Sequence, residues 1–313
     1  MNHEIRTVML KGILYNSNVS VKFLLSLFVI FVSFLFFYVV GIVVVQVGFG
    51  VDIIHHPEVL QDVSLPQTIK VLKFFQLIQS LGLFVIPPFA IAFLMYQSVK
   101  GFLRFNKIHS NYYVLLTIVA ILSFIPFTNL LSYLNSFLKL PDFMKGIEEW
   151  MRASEENAST LTVYFLKADN VITLFYNIIL IAAIPAIGEE LLFRGLLQRL
   201  FTEWTQKIHL SIWIAAILFS AIHFQFYGFI PRLFLGLVFG YLLEYTGSIW
   251  IPIIGHFTNN LTGVIIGYFL PNENIVNNTT TSLSISAIIY AILGGLVGIF
   301  CLWLIIRKTN RVL

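Results

Sequence analysis

The sequence predicts an all-α polytopic membrane protein with about eight transmembrane helices. Three observations carry this expectation. The chain breaks into apolar runs of the roughly 20 residues that span hydrocarbon. Only 11% of its 313 residues are charged, against about 25% in a soluble globular domain. Its loops alternate in charge, basic on one side and acidic on the other, as the positive-inside rule requires of a membrane protein.

Four runs are plain: Phe23–Val45, Phe74–Tyr96, Tyr112–Leu134 and Ile285–Ile306. Four more lie closer together: one from about Val171 through Ile187 and beyond, then Ile208–Phe224, Phe229–Tyr245 and Ile249–Leu270. The first run is too long for the apolar core of a signal peptide, and no small-residue cleavage site follows it. Basic residues fall in the N-terminal tail (Arg6, Lys11, Lys22), after the second run (Lys100, Arg104, Lys107), after the fourth (Arg194, Arg199, Lys207) and in the C-terminal tail (Arg307, Lys308, Arg311). Eight spans put all four on one side, which predicts cytoplasmic termini. The opposite loops hold Asp52, Glu58 and Asp62, then Asp142, Glu148, Glu149, Glu155 and Glu156. The expected location is a bacterial plasma membrane, crossed many times.

The chain reads as a single membrane domain, without internal repeats or flexible linkers. Residues 1–134 supply helices without chemical motifs. Residues 135–170 form an extracytoplasmic loop, polar and partly helical around Met144–Ala153, that suits either a lid or a connector. Residues 171–270 form the core that carries chemistry, and 285–306 the last transmembrane helix. The single cysteine, Cys301, rules out a disulfide within the chain and a cysteine metal site. A net charge of +4, spread thinly, gives no footprint for nucleic acid; membrane lipid is the partner that composition implies.

Ionisable groups inside apolar runs are costly and face a cavity or a partner. They collect in the second half: Glu189, Glu190, Arg194, His223, Glu244, His256, Asn259 and Asn260. On a helix Glu190 and Arg194 are four apart and share a face, while Glu189 is turned about 100° away. One carboxylate is neutralised and the other is left to point elsewhere. An ordinary ion pair at a helix end explains this cluster alone equally well. Phe219 precedes His223 by one turn and can pack on its ring. His256 and Asn260, again four apart, offer an imidazole and an amide on one face; a helix–helix hydrogen bond would use the same groups.

Depth is harder to reconcile. From a turn near Gln206, both Glu189 and His223 lie roughly 25 Å in, at 1.5 Å per residue. His256 lies only about 12 Å past Gly247 by the same rise. Tilt, a broken helix or an interfacial stretch must close that gap.

In these elements the sequence resembles the CPBP intramembrane protease family, which includes type II CAAX prenyl endopeptidases and bacterial Abi and bacteriocin-immunity proteins. The motifs E-E-x-x-x-R, F-x-x-x-H and H-x-x-x-N stand here as Glu189-Glu190…Arg194, Phe219…His223 and His256…Asn260, in that order. The stretch Tyr245-Thr246-Gly247-Ser248-Ile249-Trp250 also looks like the family's lead-in to the third motif. The resemblance covers roughly Val171 to Leu270. It implies hydrolysis of a peptide bond in a peptide or membrane-protein substrate, with CAAX-type processing as one form. Carried over, Glu189 and His223 hold and activate water, His256 and Asn260 stabilise the oxyanion, and Glu190 with Arg194 and Phe219 support the geometry.

No cofactor is favoured. Zinc held by Glu189, His223 and His256 is the alternative, since two histidines and a carboxylate are a known catalytic set. Against it, no H-E-x-x-H occurs, and a zinc site using all three would need a base from elsewhere; Glu244, at a helix end, is a poor candidate. The competing classes are a non-catalytic immunity or scaffold protein and a transporter. Pro87-Pro88 and Pro126 do interrupt apolar runs, but the polar groups are confined to one half, unlike the paired broken helices of repeat transporters.

Overall fold

The computed structural model describes residues 10–270 and 283–309, and every regular element among them is a helix. Nine long helices follow in order: α1 Val19–Gly48, α2 Pro66–Met95, α3 Asn111–Ser136, α4 Lys145–Leu166, α5 Val171–Thr205, α6 Ile208–Ala221, α7 Phe229–Thr246, α8 Trp250–Phe269 and α9 Ile285–Thr309. Six of these (α1, α2, α3, α5, α7 and α9) are long and apolar enough to cross a membrane. The other two expected spans are also helical, but α6 has only 14 residues and α8 falls outside that set. Eight spans is therefore an approximate count. Arg6 and Arg311 lie outside the described residues.

Local chemistry sets the helix ends. The side chain of Ser110 accepts the Tyr112 N–H at the start of α3, and that of Asn170 accepts the Thr173 N–H at the start of α5, each satisfying an N–H that the helix leaves open. α5 stops at Gln206, and α7 at Gly247, both left-handed at φ 57° and 69°; glycine adopts that conformation without a Cβ clash.

The prolines interrupt the apolar runs but do not end their helices, as spans drawn through them require. α3 runs straight through Pro126. In α2 a π-helical stretch, Ser80–Val85, precedes Pro87. In α5 a matching stretch, Ile178–Ala183, precedes Pro185. A proline has no N–H to give and crowds the carbonyl four residues back; widening the turn accommodates it without breaking the span.

Two cores organise the bundle. One joins α2, α5 and α6 around Met95, Leu103, Leu191, Leu196 and Leu200. The other joins α3, α7 and α9 around Ile121, Phe124, Phe239 and Cys301. Small residues bring backbones close, as in other membrane bundles: a Cβ on Gly188 would lie 2.9 Å from that of Phe84, and one on Gly240 would lie 2.7 Å from Ile212. α1 is the lipid-facing extreme, with Phe28, Phe31 and Val47 exposed.

The basic segments meet at one end. Lys22 lies 3.8 Å from Glu203, Arg199 donates to the Phe102 carbonyl at 2.8 Å, Arg104 pairs with Glu244 at 2.8 Å, and Lys308 sits over the Tyr112 ring. The 135–170 connection is more regular than expected: α4 spans 22 residues, none of them buried. Its Trp150 packs on Phe226, and its Glu155 accepts the Tyr227 N–H.

Candidate active site

Four helices, α5 to α8, and the loop after α6 converge on a polar cluster inside the apolar bundle. The Glu190–Arg194 pair forms as the spacing predicts, Oε1 to Nη1 at 2.8 Å with both side chains fully buried. Arg194 also donates to the Gly236 carbonyl of α7 at 3.1 Å. Its guanidinium lies 4.5 Å from the Phe219 ring centre and 5.4 Å from that of Phe239, so cation–π contact helps to hold a charge that has left water.

Glu190 has a second partner that the sequence did not reveal. The same Oε1 takes the His256 Nδ1–H at 2.8 Å. The imidazole stacks on Phe239 and meets Phe219 edge-on. Glu190, Phe219 and Phe239 thus fix both the orientation and the tautomer of His256, because a carboxylate only accepts. The Nε2 atom then faces Glu189, 3.8 Å from its Oε2.

His223 reaches the same carboxylate from the other side. It lies just beyond the end of α6, where its Nδ1–H donates to the Phe219 carbonyl at 2.8 Å. The carbonyl cannot donate, so Nδ1 carries the proton and neutral His223 presents an Nε2 lone pair. That atom is 4.0 Å from Glu189 Oε2. Phe219 packs edge-on against the ring, as the one-turn spacing suggests. Glu189 therefore keeps the separate environment expected of it: two imidazole nitrogens at a distance slightly too long for direct hydrogen bonds and suited to a bridging water.

The structure thus brings together Glu189, Glu190, Arg194, Phe219, His223 and His256. Asn260 stands one turn beyond His256 on α8, half-buried, and its Oδ1 accepts from Asn259 at 3.3 Å rather than joining the cluster. Glu244 belongs elsewhere: Arg104 and Gln198 hold its two oxygens at the basic end. Among the described residues no group of three His, Cys, Asp or Glu is arranged to hold a metal ion, although the three residues named for zinc do converge, with both Nε2 atoms 4.0 and 3.8 Å from Glu189 Oε2.

The depth of His256 is explained by how α8 begins. Ile249 N–H donates to the Arg104 carbonyl, Ser248 Oγ to the Asn106 carbonyl, and Asn106 Nδ2 to the Gly247 carbonyl. This loop after α2 lies along α5, with Leu103 against Gly195 and the Phe102 carbonyl on Arg199. Ser248 and Ile249 are buried. α8 therefore starts beside the Gly195–Arg199 stretch of α5 and not level with Gln206, and a short rise brings His256 to Glu190.

Two residues near the site were missed in the sequence. Arg232, in the first turn of α7, donates from Nη1 to Gln225 Oε1 and from Nη2 to the Gln225 carbonyl. Gln225 follows His223 by two residues, so this clamp braces the loop that carries the histidine. The cue available was another ionisable residue inside an apolar run.

Comparison with known proteins locates the same segment. Residues 171–262 match the family model described as type II CAAX prenyl endopeptidase Rce1-like. An uncharacterized protein of Bacillus subtilis (strain 168), YpbD, is 32% identical over 85 residues. That stretch is 26% of this chain and 40% of YpbD, so the chain spans less than half the length of that curated relative. No solved structure matches. The matched segment contains every clustered residue of the site, and over residues 171–262 the chain is similar to the Rce1-like type II CAAX prenyl endopeptidases.

Proposed function

We propose that this protein is an intramembrane endopeptidase that hydrolyses a peptide bond with water activated by Glu189. The observation that carries this reading is the convergence of Glu189 Oε2 with the Nε2 atoms of His223 and His256, at 4.0 and 3.8 Å. A carboxylate and two imidazoles so spaced can share one water.

The chemistry follows from the groups present. Water donates one hydrogen to Glu189 and the other to the His223 lone pair, which aims its oxygen at a carbonyl carbon. As the C–O bond forms, Glu189 takes the proton, acting as a general base. Negative charge then builds on the carbonyl oxygen. Protonated His256, held by Glu190, offers Nε2–H to that oxygen, and Asn260 offers its amide hydrogens from the next turn. Donors fixed in advance where charge develops are effective in a low-dielectric site. Collapse breaks the C–N bond, and Glu189 passes its proton to the leaving nitrogen. Glu190, Arg194 and Phe219 hold the frame. No step is routed through a metal.

The matched family makes CAAX-type processing the first substrate class to examine. The basic end would face the cytoplasm, and the setting would be a bacterial plasma membrane. The test compares membrane proteomes of cells carrying wild type or Glu189→Gln, followed by cleavage of the accumulated species with purified protein. Uncleaved species should accumulate with Glu189→Gln, and the purified wild type should cut them. Equal cleavage by the variant would sink the assignment of the base; no cleavage by either would favour a non-catalytic scaffold.

A further inference from the structure

Glu190 has its cation one turn away, whereas among the described residues Glu189 makes no close ion pair with a lysine or arginine. Two contacts set the register of α5 against α7: Arg194 on the Gly236 carbonyl and Gln198 on the Gly240 carbonyl, at 3.1 and 3.3 Å. Both helices advance by four residues between these contacts, so they run in the same direction. One turn back along each pairs the level of Glu190 with that of Arg232. Arg232 is four residues before Gly236 and therefore on the same face of α7, the face turned toward α5. The two-pronged hold on Gln225 fixes its guanidinium beside the His223 loop. Its charge acts on His223 and, behind those of His256 and Arg194, on Glu189.

We infer that Arg232 is the counter-ion of Glu189, as Arg194 is of Glu190, and that it is a positioning residue for the reaction. An unbalanced carboxylate at membrane depth is costly. Two carboxylates matched by two guanidiniums cancel, which leaves the charge on the His256 ring to meet the oxyanion. During hydrolysis the negative charge leaves Glu189 and appears on the carbonyl oxygen nearby, and a fixed cation within reach of the cluster keeps the balance through that transfer. The catalytic half of this inference rests on the endopeptidase reading; the electrostatic half does not. Glu155 of α4 is the rival partner for Arg232 and acts on it more strongly than Glu189 does; its Oε2 also accepts the Tyr227 N–H at 3.2 Å.

The experiment is a double-mutant cycle on the full chain in detergent or lipid nanodiscs, with Arg232→Met, Glu189→Gln and the pair. Thermal unfolding and peptide cleavage are both read. Arg232→Met should lower the unfolding midpoint, and much less so when Glu189 is already Gln. A residue that only clamps Gln225 would lower it equally in both backgrounds, and that result overturns the inference. The same cycle with Glu155→Gln should show the weaker coupling; stronger coupling there also overturns it. Should Arg232→Met fail to fold, recovery of folded protein on adding Glu189→Gln is the expected coupling, and no recovery is the refuting result. In cleavage, Arg232→Met should lose about a hundredfold in kcat, the scale of removing one preorganised charge, with KM little changed. Arg232→Lys should recover most of the loss. Coupling in a wild type that cleaves nothing would sink the endopeptidase reading alone. Cleavage without coupling would sink the counter-ion alone.

Discussion

Glu189 and Glu190 are neighbours in sequence, yet their isosteric amides should behave differently. Glu190→Gln removes the charge that neutralises Arg194, and it weakens two charge-assisted hydrogen bonds, to Arg194 and to His256, both 2.8 Å long. Both members of the ion pair are fully buried. Breaking a buried pair by removing one partner costs roughly 3–5 kcal/mol. The lower end applies here, because the Gly236 carbonyl and the faces of Phe219 and Phe239 remain to Arg194, and the Gln oxygen can still accept. The expectation is a loss of about 3 kcal/mol. Glu189→Gln gives up no hydrogen bond of that length, since its histidine partners stand 3.8 and 4.0 Å away. Its cost should be the smaller of the two, while activity is lost. The assay is reversible denaturation in mixed micelles, because heating a membrane protein often reports a rate and not an equilibrium. A Glu190→Gln protein as stable as wild type, or a Glu189→Gln protein equally destabilised, would refute the unequal roles.

Two further outcomes are expected. In a Cys301→Ser background, a cysteine placed at position 150 on α4 should label from outside the cell, and one at position 107 only after the cytoplasm is exposed; the reverse pattern would overturn the orientation. Purified active protein should carry no stoichiometric zinc and should keep cutting in a strong chelator. Zinc at one per chain, with activity lost on its removal and restored on its return, would convert Glu189, His223 and His256 into ligands.

The one-turn relationships were legible in the sequence because they are local. Glu190 with Arg194, and Phe219 with His223, follow from helix geometry as soon as the apolar runs are read as helices. The contrast between the two glutamates follows from the same geometry, since adjacent residues on a helix point in different directions. The π-helical stretches before Pro87 and Pro185 were not legible, because apolar composition does not distinguish a widened turn from a break.

The sequence by itself determined that this is a helical membrane protein whose polar groups are concentrated in residues 171–270. Burial of charge in apolar runs is costly wherever the helices pack, so those residues stand out without a fold. Only the tertiary structure decided which groups meet. The bond from His256 to Glu190 joins residues 66 positions apart, and it exists because the Arg104–Asn106 loop sets the start of α8 beside α5. The clamp of Arg232 on Gln225 likewise depends on how α7 leaves the loop after His223. Helical periodicity fixes directions around one axis; the height of one helix against another is set by packing and by loop hydrogen bonds, which that periodicity does not contain.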